Sequence, residues 1–289
     1  MERQAGTNWL VFVLLCLVWG SSFILMKRSA DYLSGWQIGS IRIFSAGLAF
    51  LPLAIFHIRQ IPAQKIPLVI LSGILGNLFP AFLFAIAIEK KIDSSLAGIL
   101  NSLTPLLVVI IGLAFFKTSL RRNRIIGVAI GLVGLILLSV SKGTITVDNA
   151  WFTFLIFLAT ICYGFNVNLV SHYLKDVEPI KMATVSLAAM ALVAGGVAWY
   201  HHVFSMLQYD TASHLPILYA VILGVVGSGI ATAFFYWLIR RAGGLFASLV
   251  TYGIPVVSIF WGIWDGEQVG AMQIACLGLI LSGVYMANK

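Results

Sequence analysis

Ser95-Leu-Ala-Gly-Ile-Leu-Asn-Ser-Leu-Thr-Pro105 opens an apolar run that continues to Phe116, and Phe246-Ala-Ser-Leu-Val-Thr-Tyr-Gly-Ile-Pro255 opens a second that continues to Glu267. Each run is long enough to cross a bilayer, and each is interrupted by a proline at the matching position. A proline inside a helix removes its own N–H and pushes away the carbonyl four residues earlier. Those carbonyls belong to Asn101 and Thr251, both polar, so each run offers a loosened turn with side-chain and backbone oxygens at membrane depth. In lipid such a turn survives only where protein or a water-filled cavity covers it. Paired interruptions of this kind point to the binding site of a carrier, with Pro105 and Pro255 as its hinges.

The composition around these runs agrees. Of 289 residues, 60% are hydrophobic and 10% charged, and the mean hydropathy is +1.00. A soluble domain of this size cannot hide so much apolar surface, so the chain reads as an all-α integral membrane protein with the lipid bilayer as its solvent. The run from Trp9 to Met26 follows a short, weakly basic start and lacks a small-residue cleavage site, which reads as a retained first span rather than a signal peptide. Cys16, Cys162 and Cys276 fall inside apolar runs and read as small core residues, with no case for disulfides or a metal. No cofactor is expected.

About 20 apolar residues cross the hydrocarbon core. That length predicts ten transmembrane helices at roughly 9–27, 36–57, 66–88, 94–116, 123–141, 151–173, 180–203, 215–239, 245–264 and 269–287. The linkers are short; the longest, 201–214, has room for a surface turn. Twelve Lys and Arg residues fall on one side of this arrangement and five on the other, with Arg42 inside a span. The positive-inside rule then places both termini in the cytoplasm. Insertion bias accounts for the net charge of +8, and no nucleic-acid partner is needed.

The halves echo one another. Trp19-Gly-Ser-Ser22 aligns with Tyr163-Gly-Phe-Asn166 at an offset of 144, and Gly134-Leu-Ile-Leu aligns with Gly278-Leu-Ile-Leu at the same offset. Gly73 and Gly76 align with Gly224 and Gly227 at 151, and Ala97 and Pro105 with Ala247 and Pro255 at 150. The chain therefore reads as two five-helix repeats, 1–143 and 144–289. Five is odd, so the second copy enters the membrane inverted, an architecture of alternating-access carriers.

With these landmarks in order, the chain resembles the drug/metabolite transporter superfamily, specifically its ten-helix EamA-like branch. The resemblance is carried by Trp19-Gly-Ser-Ser-Phe23, Arg42-Ile-Phe44, the stretch Ser95 to Pro105, and Ala247 to Pro255 running on to Glu267, and it covers the whole chain. It implies export or exchange of small metabolites across the bacterial cytoplasmic membrane, with a central cavity walled by both repeats. One departure stands out. Many relatives end the fourth helix with an acidic residue, where this chain has Lys117.

The candidate substrate-binding residues are Asn101 and Thr251 beside the breaks, with Tyr252; Trp19 and Tyr163 as matching aromatic walls; Ser21, Asn77 and Asn166; and Ser228, Thr232 and Tyr236, which recur every four residues as one polar stripe. Each competes with a plainer role as hydrogen-bonding or packing contact between helices. Asn168, two residues from Asn166, is expected to face elsewhere. For Arg42 the favoured reading is a cap on neighbouring carbonyls or a snorkelling side chain, because the resemblance places its helix outside the cavity; the alternative is an anchor for a substrate carboxylate. Trp9, Trp151, Trp199 and Trp264 read as interfacial anchors. Gly127-Val-Ala-Ile-Gly131 suits close helix packing within a subunit or between subunits, and function as a monomer is expected. His201, His202 and His214 read as a solvated loop.

These residues favour a secondary carrier for neutral or zwitterionic metabolites, and the resemblance points to amino acids. Export of drugs or nucleosides on the same fold is the alternative. From another class comes an intramembrane enzyme, prompted by Gly227-Ser228-Gly229, but no histidine follows His214 and no intramembrane aspartate pair exists.

Overall fold

The structure, a computed structural model, describes residues 2–90, 92, 94–118, 122–142, 150–265 and 270–287. Their regular structure is entirely helical, with no strand among them. In chain order they form α1 (Glu2–Ala30), α2 (Gly35–His57), α3 (Ile66–Gly73), a π-helical segment Ile74–Leu78 and α4 (Phe79–Glu89). Then follow α5 (Ser94–Asn101), α6 (Thr104–Phe115), α7 (Arg122–Lys142), α8 (Ala150–Tyr173), α9 (Pro179–Tyr200) and the short α10 (Val203–Tyr209). The chain ends with α11 (His214–Ile222), a second π segment Leu223–Ile230, α12 (Ala231–Ala242), α13 (Gly244–Ser248), α14 (Val250–Trp264) and α15 (Ala271–Ala287).

Among the described residues, seven segments are long and apolar enough to span a membrane: Gly6–Ala30, Gly35–Gln60, Ala63–Glu89, Ala150–Tyr173, Pro179–Tyr200, Thr211–Ala242 and Gly244–Trp264. Shorter apolar helices lie at Thr104–Phe115 and Ile125–Gly134. Their outer faces carry exposed aliphatic side chains such as Leu10, Leu14, Leu192 and Ile263, which only lipid can solvate favourably. Trp9, Trp151, Trp199 and Trp264 are all exposed near helix ends, the position of interfacial anchors.

Helices distant in sequence pack side by side: α1 along α14, α2 along α9, and α7 along α15. In lipid no hydrophobic force draws helices together, so close backbone approach must supply the packing. Gly47 of α2 lies so near the Leu187 carbonyl of α9 that a Cβ there has no room. Gly283 of α15 sits likewise against the backbone of Gly127 and Gly131, so this glycine pair makes a contact within the chain.

Three features differ from the sequence expectation. The linker 201–214 contains α10, started after His202 turns the backbone into the left-handed region at φ 59°. The second helix break falls at Leu249, between α13 and α14, and Pro255 lies inside α14; the first break, at Ser102 and Leu103, is where the sequence placed it. The two π segments, at Ile74–Leu78 and Leu223–Ile230, have no sequence signature. Glu267 and the linker 143–149 lie outside the described residues.

Candidate functional site

Two large apolar clusters fill the interior, and Trp19 packs against both. At the seam between them lies a cavity lined by aromatic residues Trp19, Phe23, Phe84, Tyr163, Phe235 and Tyr236 and by polar groups from Ser22, Arg42, Asn77, Asn101, Thr104, Asn166, Thr232 and Thr251. Its open volume is about 70 Å³. Pockets for small molecules run to roughly 300–1,000 Å³. An amino-acid-sized molecule therefore fits only when the walls separate.

The π segments explain how polar side chains reach this seam. A π turn adds a residue to the helical register and frees backbone groups locally, a feature frequent at functional sites. The first segment carries Asn77 and the second Ser228, again 151 residues apart. The Trp19 indole donates to the Gly227 carbonyl at 2.8 Å, tying α1 to the second π segment. Thr232 donates to Asn77 Oδ1 at 3.0 Å, and Asn77 Nδ2, on a residue only 5% exposed, has no partner.

A second set joins α3, α8 and α12. The Ser72 hydroxyl donates to Asn166 Oδ1 at 2.7 Å and lies 2.9 Å from the Tyr236 hydroxyl. Because Ser72 has one proton to give, Tyr236 is the donor in the second bond. On the aromatic side, Tyr163 stacks against Phe84 with ring centroids 6.3 Å apart, and Trp19 meets Phe235 edge-on at 5.1 Å.

The helix breaks form the third wall. Proline leaves a carbonyl without its helical donor, and a buried acceptor needs a replacement. The Asn101 carbonyl accepts from Thr104 Oγ1 at 2.6 Å, and the Thr251 carbonyl accepts from Ser102 Oγ at 2.5 Å. The Asn101 side chain is 6% exposed and its Oδ1 has no partner. Thr251 turns its own hydroxyl back to the Ser248 carbonyl.

Of the residues proposed from sequence, Trp19, Asn77, Asn101, Tyr163, Asn166, Thr232, Tyr236 and Thr251 line one cavity. Ser228 lies just behind it, bonded to Arg42. Ser21 does not line it: its hydroxyl accepts from the Trp261 indole at 2.8 Å, and Ser22 takes the inward position. Tyr252 also faces away, donating to the Val128 carbonyl at 3.1 Å with its ring against Gly131. Asn168 bonds the Val108 and Gly164 carbonyls and serves as a clasp between α6 and α8, away from the cavity as expected.

Arg42 differs most from its reading. Among the described residues it caps no carbonyl, and it does not snorkel: it is 9% exposed, lines the cavity, and donates from Nε to Ser228 Oγ at 2.7 Å. Its place two turns inside α2 was visible in the sequence, but the rotation of α2 against the π segment was not. No Asp or Glu lines the cavity among the described residues.

The sequence profile of the EamA-like transporter family matches residues 7–140 and again residues 150–289. The chain belongs to the EamA-like transporter family. It is a multi-span membrane transporter of the drug/metabolite superfamily, and its family and relatives are named for transport rather than for an enzymatic reaction. It is 25% identical over 285 residues to an uncharacterized transporter of Archaeoglobus fulgidus, covering 98% of this chain and 99% of that one. The uncharacterized inner membrane transporter YedA of Escherichia coli K12 is 25% identical over 95% of this chain and 88% of its own length. A solved crystal structure shares the fold with a TM-score of 0.68 at 17% identity, over 98% of this chain and 96% of that chain.

Lys117, just beyond α6, adopts a left-handed conformation, φ 52°, and is exposed. Its ammonium stays out of the cavity lining. The ends of the bundle are tied by ion pairs. Lys27 and Arg28 at the end of α1 both bond Asp265 beyond α14, the Lys27 pair at 2.7 Å. The hydrogen bond from Lys27, with both positive charges, holds the Asp265 carboxyl below its ordinary value. At another linker pair, Lys65 reaches Asp176 at 3.2 Å. The histidines have separate partners: His201 stacks on Trp36, and His214 bonds the Leu207 carbonyl.

Proposed function

We propose that the chain is a secondary carrier that exports or exchanges small neutral or zwitterionic metabolites, amino acids foremost, by alternating access around this cavity. The observation that carries the reading is the cavity itself. Its aromatic walls are interspersed with amide and hydroxyl groups from α1, the first π segment, α5, α6, α8, α12 and α14, and two amide atoms are unpartnered. Aromatic area with a few placed polar groups is what a small-molecule site requires.

Several observations support a duplicated, inverted ten-helix frame. The family profile matches twice, the π segments recur near an offset of 151, and the carbonyls four residues before Pro105 and Pro255 are both hydroxyl-capped. An odd unit of five helices demands inversion of the second copy. In this reading the halves 1–143 and 144–289 rock about the cavity, with the breaks near Pro105 and Pro255 as hinges. The lysine and arginine bias places both termini in the cytoplasm of a bacterial cell, and one copy suffices for transport.

A cavity whose described lining has no carboxylate suits a lipophilic cation poorly. It also provides no protein acid to carry a proton, which favours uniport or exchange. As for an enzyme, the Ser228 hydroxyl accepts from a guanidinium and meets no base among the described residues. Thermal stability of the purified protein against amino acids, nucleosides, sugars and lipophilic cations tests the reading, since a ligand of the folded state raises its midpoint. A rise with amino acids supports it; a rise with lipophilic cations alone overturns the substrate class.

A further inference from the structure

Among the described residues lining the cavity, Arg42 alone carries a full charge. Its guanidinium holds five N–H donors in a planar fork. One of them, on Nε, goes to Ser228, and no described residue accepts from the terminal nitrogens. A serine hydroxyl does not neutralise a cation, and an unpaired charge buried in a membrane protein is costly on every scale. Such charges are retained where an ion pathway or a ligand needs them. The guanidinium's described partner lies 186 residues away in sequence, and the cavity also holds an orphan amide donor on Asn77 and an orphan amide acceptor on Asn101.

We infer that the missing counter-charge is a carboxylate on the transported molecule, received by the free fork of Arg42. The orphan amide atoms of Asn77 and Asn101 serve that molecule's remaining polar groups, and Asn101 Oδ1 is the acceptor available to an ammonium. This rests on the carrier reading and adds to it a required chemical group: the substrate class is carboxylates, α-amino acids among them. Planar, two-pronged recognition also explains why arginine stands here, because a lysine offers a point charge without the fork. Ser228, bonded at Nε, is a positioning residue that holds the fork toward the cavity.

The test uses the full-length protein in detergent and in liposomes with six probes: L-leucine, L-phenylalanine, their amides, and the corresponding acids lacking the amino group, 4-methylpentanoate and 3-phenylpropanoate. Wild-type protein is expected to bind the amino acids and the deaminated acids and to bind the amides at least tenfold more weakly. Arg42→Gln is expected to lose the ligand-induced stability shift for every carboxylate, while Arg42→Lys retains a part. A purely structural arginine predicts that Arg42→Gln lowers the stability of the empty protein. An uncompensated charge predicts that this stability is kept or raised, because the substitution removes a desolvation cost. Amides binding as well as amino acids, or Arg42→Gln keeping its carboxylate preference, overturns the inference and leaves the carrier reading standing. Failure of wild-type protein to bind or exchange any probe, together with transport of nucleosides or cations, overturns both.

Discussion

Ser102 donates its hydroxyl to the backbone carbonyl of Thr251 at 2.5 Å, and by that bond the break between α5 and α6 supplies the donor that Pro255 withholds from α14. The two interruptions are thus one structural unit: each is tolerated in the membrane because a neighbouring hydroxyl covers its freed carbonyl. Ser102 is fully buried, so water cannot take over its role.

Ser102→Ala should therefore destabilise the protein by about 1–3 kcal/mol, the cost of an unsatisfied buried acceptor. In a Pro255→Ala background residue 255 regains an N–H for the Thr251 carbonyl, and the penalty of Ser102→Ala should shrink. A double-mutant cycle on urea or thermal unfolding measures the coupling. Additive penalties would show that the bond carries no weight.

Asn101→Ala should impair transport while leaving unfolding within about 0.5 kcal/mol of wild type, since its Oδ1 has no partner to lose. Tyr236→Phe is the contrast. It removes the bond to Ser72 and should cost about 1 kcal/mol of stability in addition to transport. Parallel thermal melts and uptake assays separate the two, and equal stability losses would return Asn101 to a structural role.

The Asp265 clasp predicts a pH dependence. Its carboxyl is held below the unfolded value by Lys27 and Arg28, so its stabilisation is fully present above the unfolded carboxylate pKa of about 3.9 and is lost as pH falls through the lower folded value. Melting wild type and Asp265→Asn from neutral pH into acid should show a gap at neutrality that narrows as pH falls below the unfolded carboxylate pKa. A gap that stays constant into acid would assign the effect to packing.

Gly131→Ala should destabilise by about 1–3 kcal/mol, because a Cβ there collides with the Tyr252 ring on α14. Tyr252→Ala in the same protein should relieve that collision while losing its own bond to Val128. Unfolding of the single and double variants reads the interaction directly.

Much of this was legible in the sequence. Apolar length set the limits of α2, α8 and the combined α13–α14 segment to within a residue or two, and Asn101 to Pro105 gave the first break. Rotation about each helix was not legible. One residue turns a helix by about 100°, which is why Ser22 and not Ser21 faces the cavity. The Leu249 break resets the phase of α14 and sends Tyr252 to α7, and the π segments shift register without a proline or charge to mark them. Arg42 required both pieces: the rotation of α2 that turns it to the cavity, and the π segment that carries its partner Ser228.

We propose that one cavity, lined from both halves of the chain, carries small metabolites across the membrane. Counterflow in liposomes is the decisive experiment: vesicles preloaded with unlabelled L-leucine or L-phenylalanine should accumulate the labelled compound transiently with wild-type protein, and Asn101→Ala should abolish that overshoot while inserting and melting normally. An unchanged overshoot in Asn101→Ala, or none in wild type with any amino acid, would overturn the proposal.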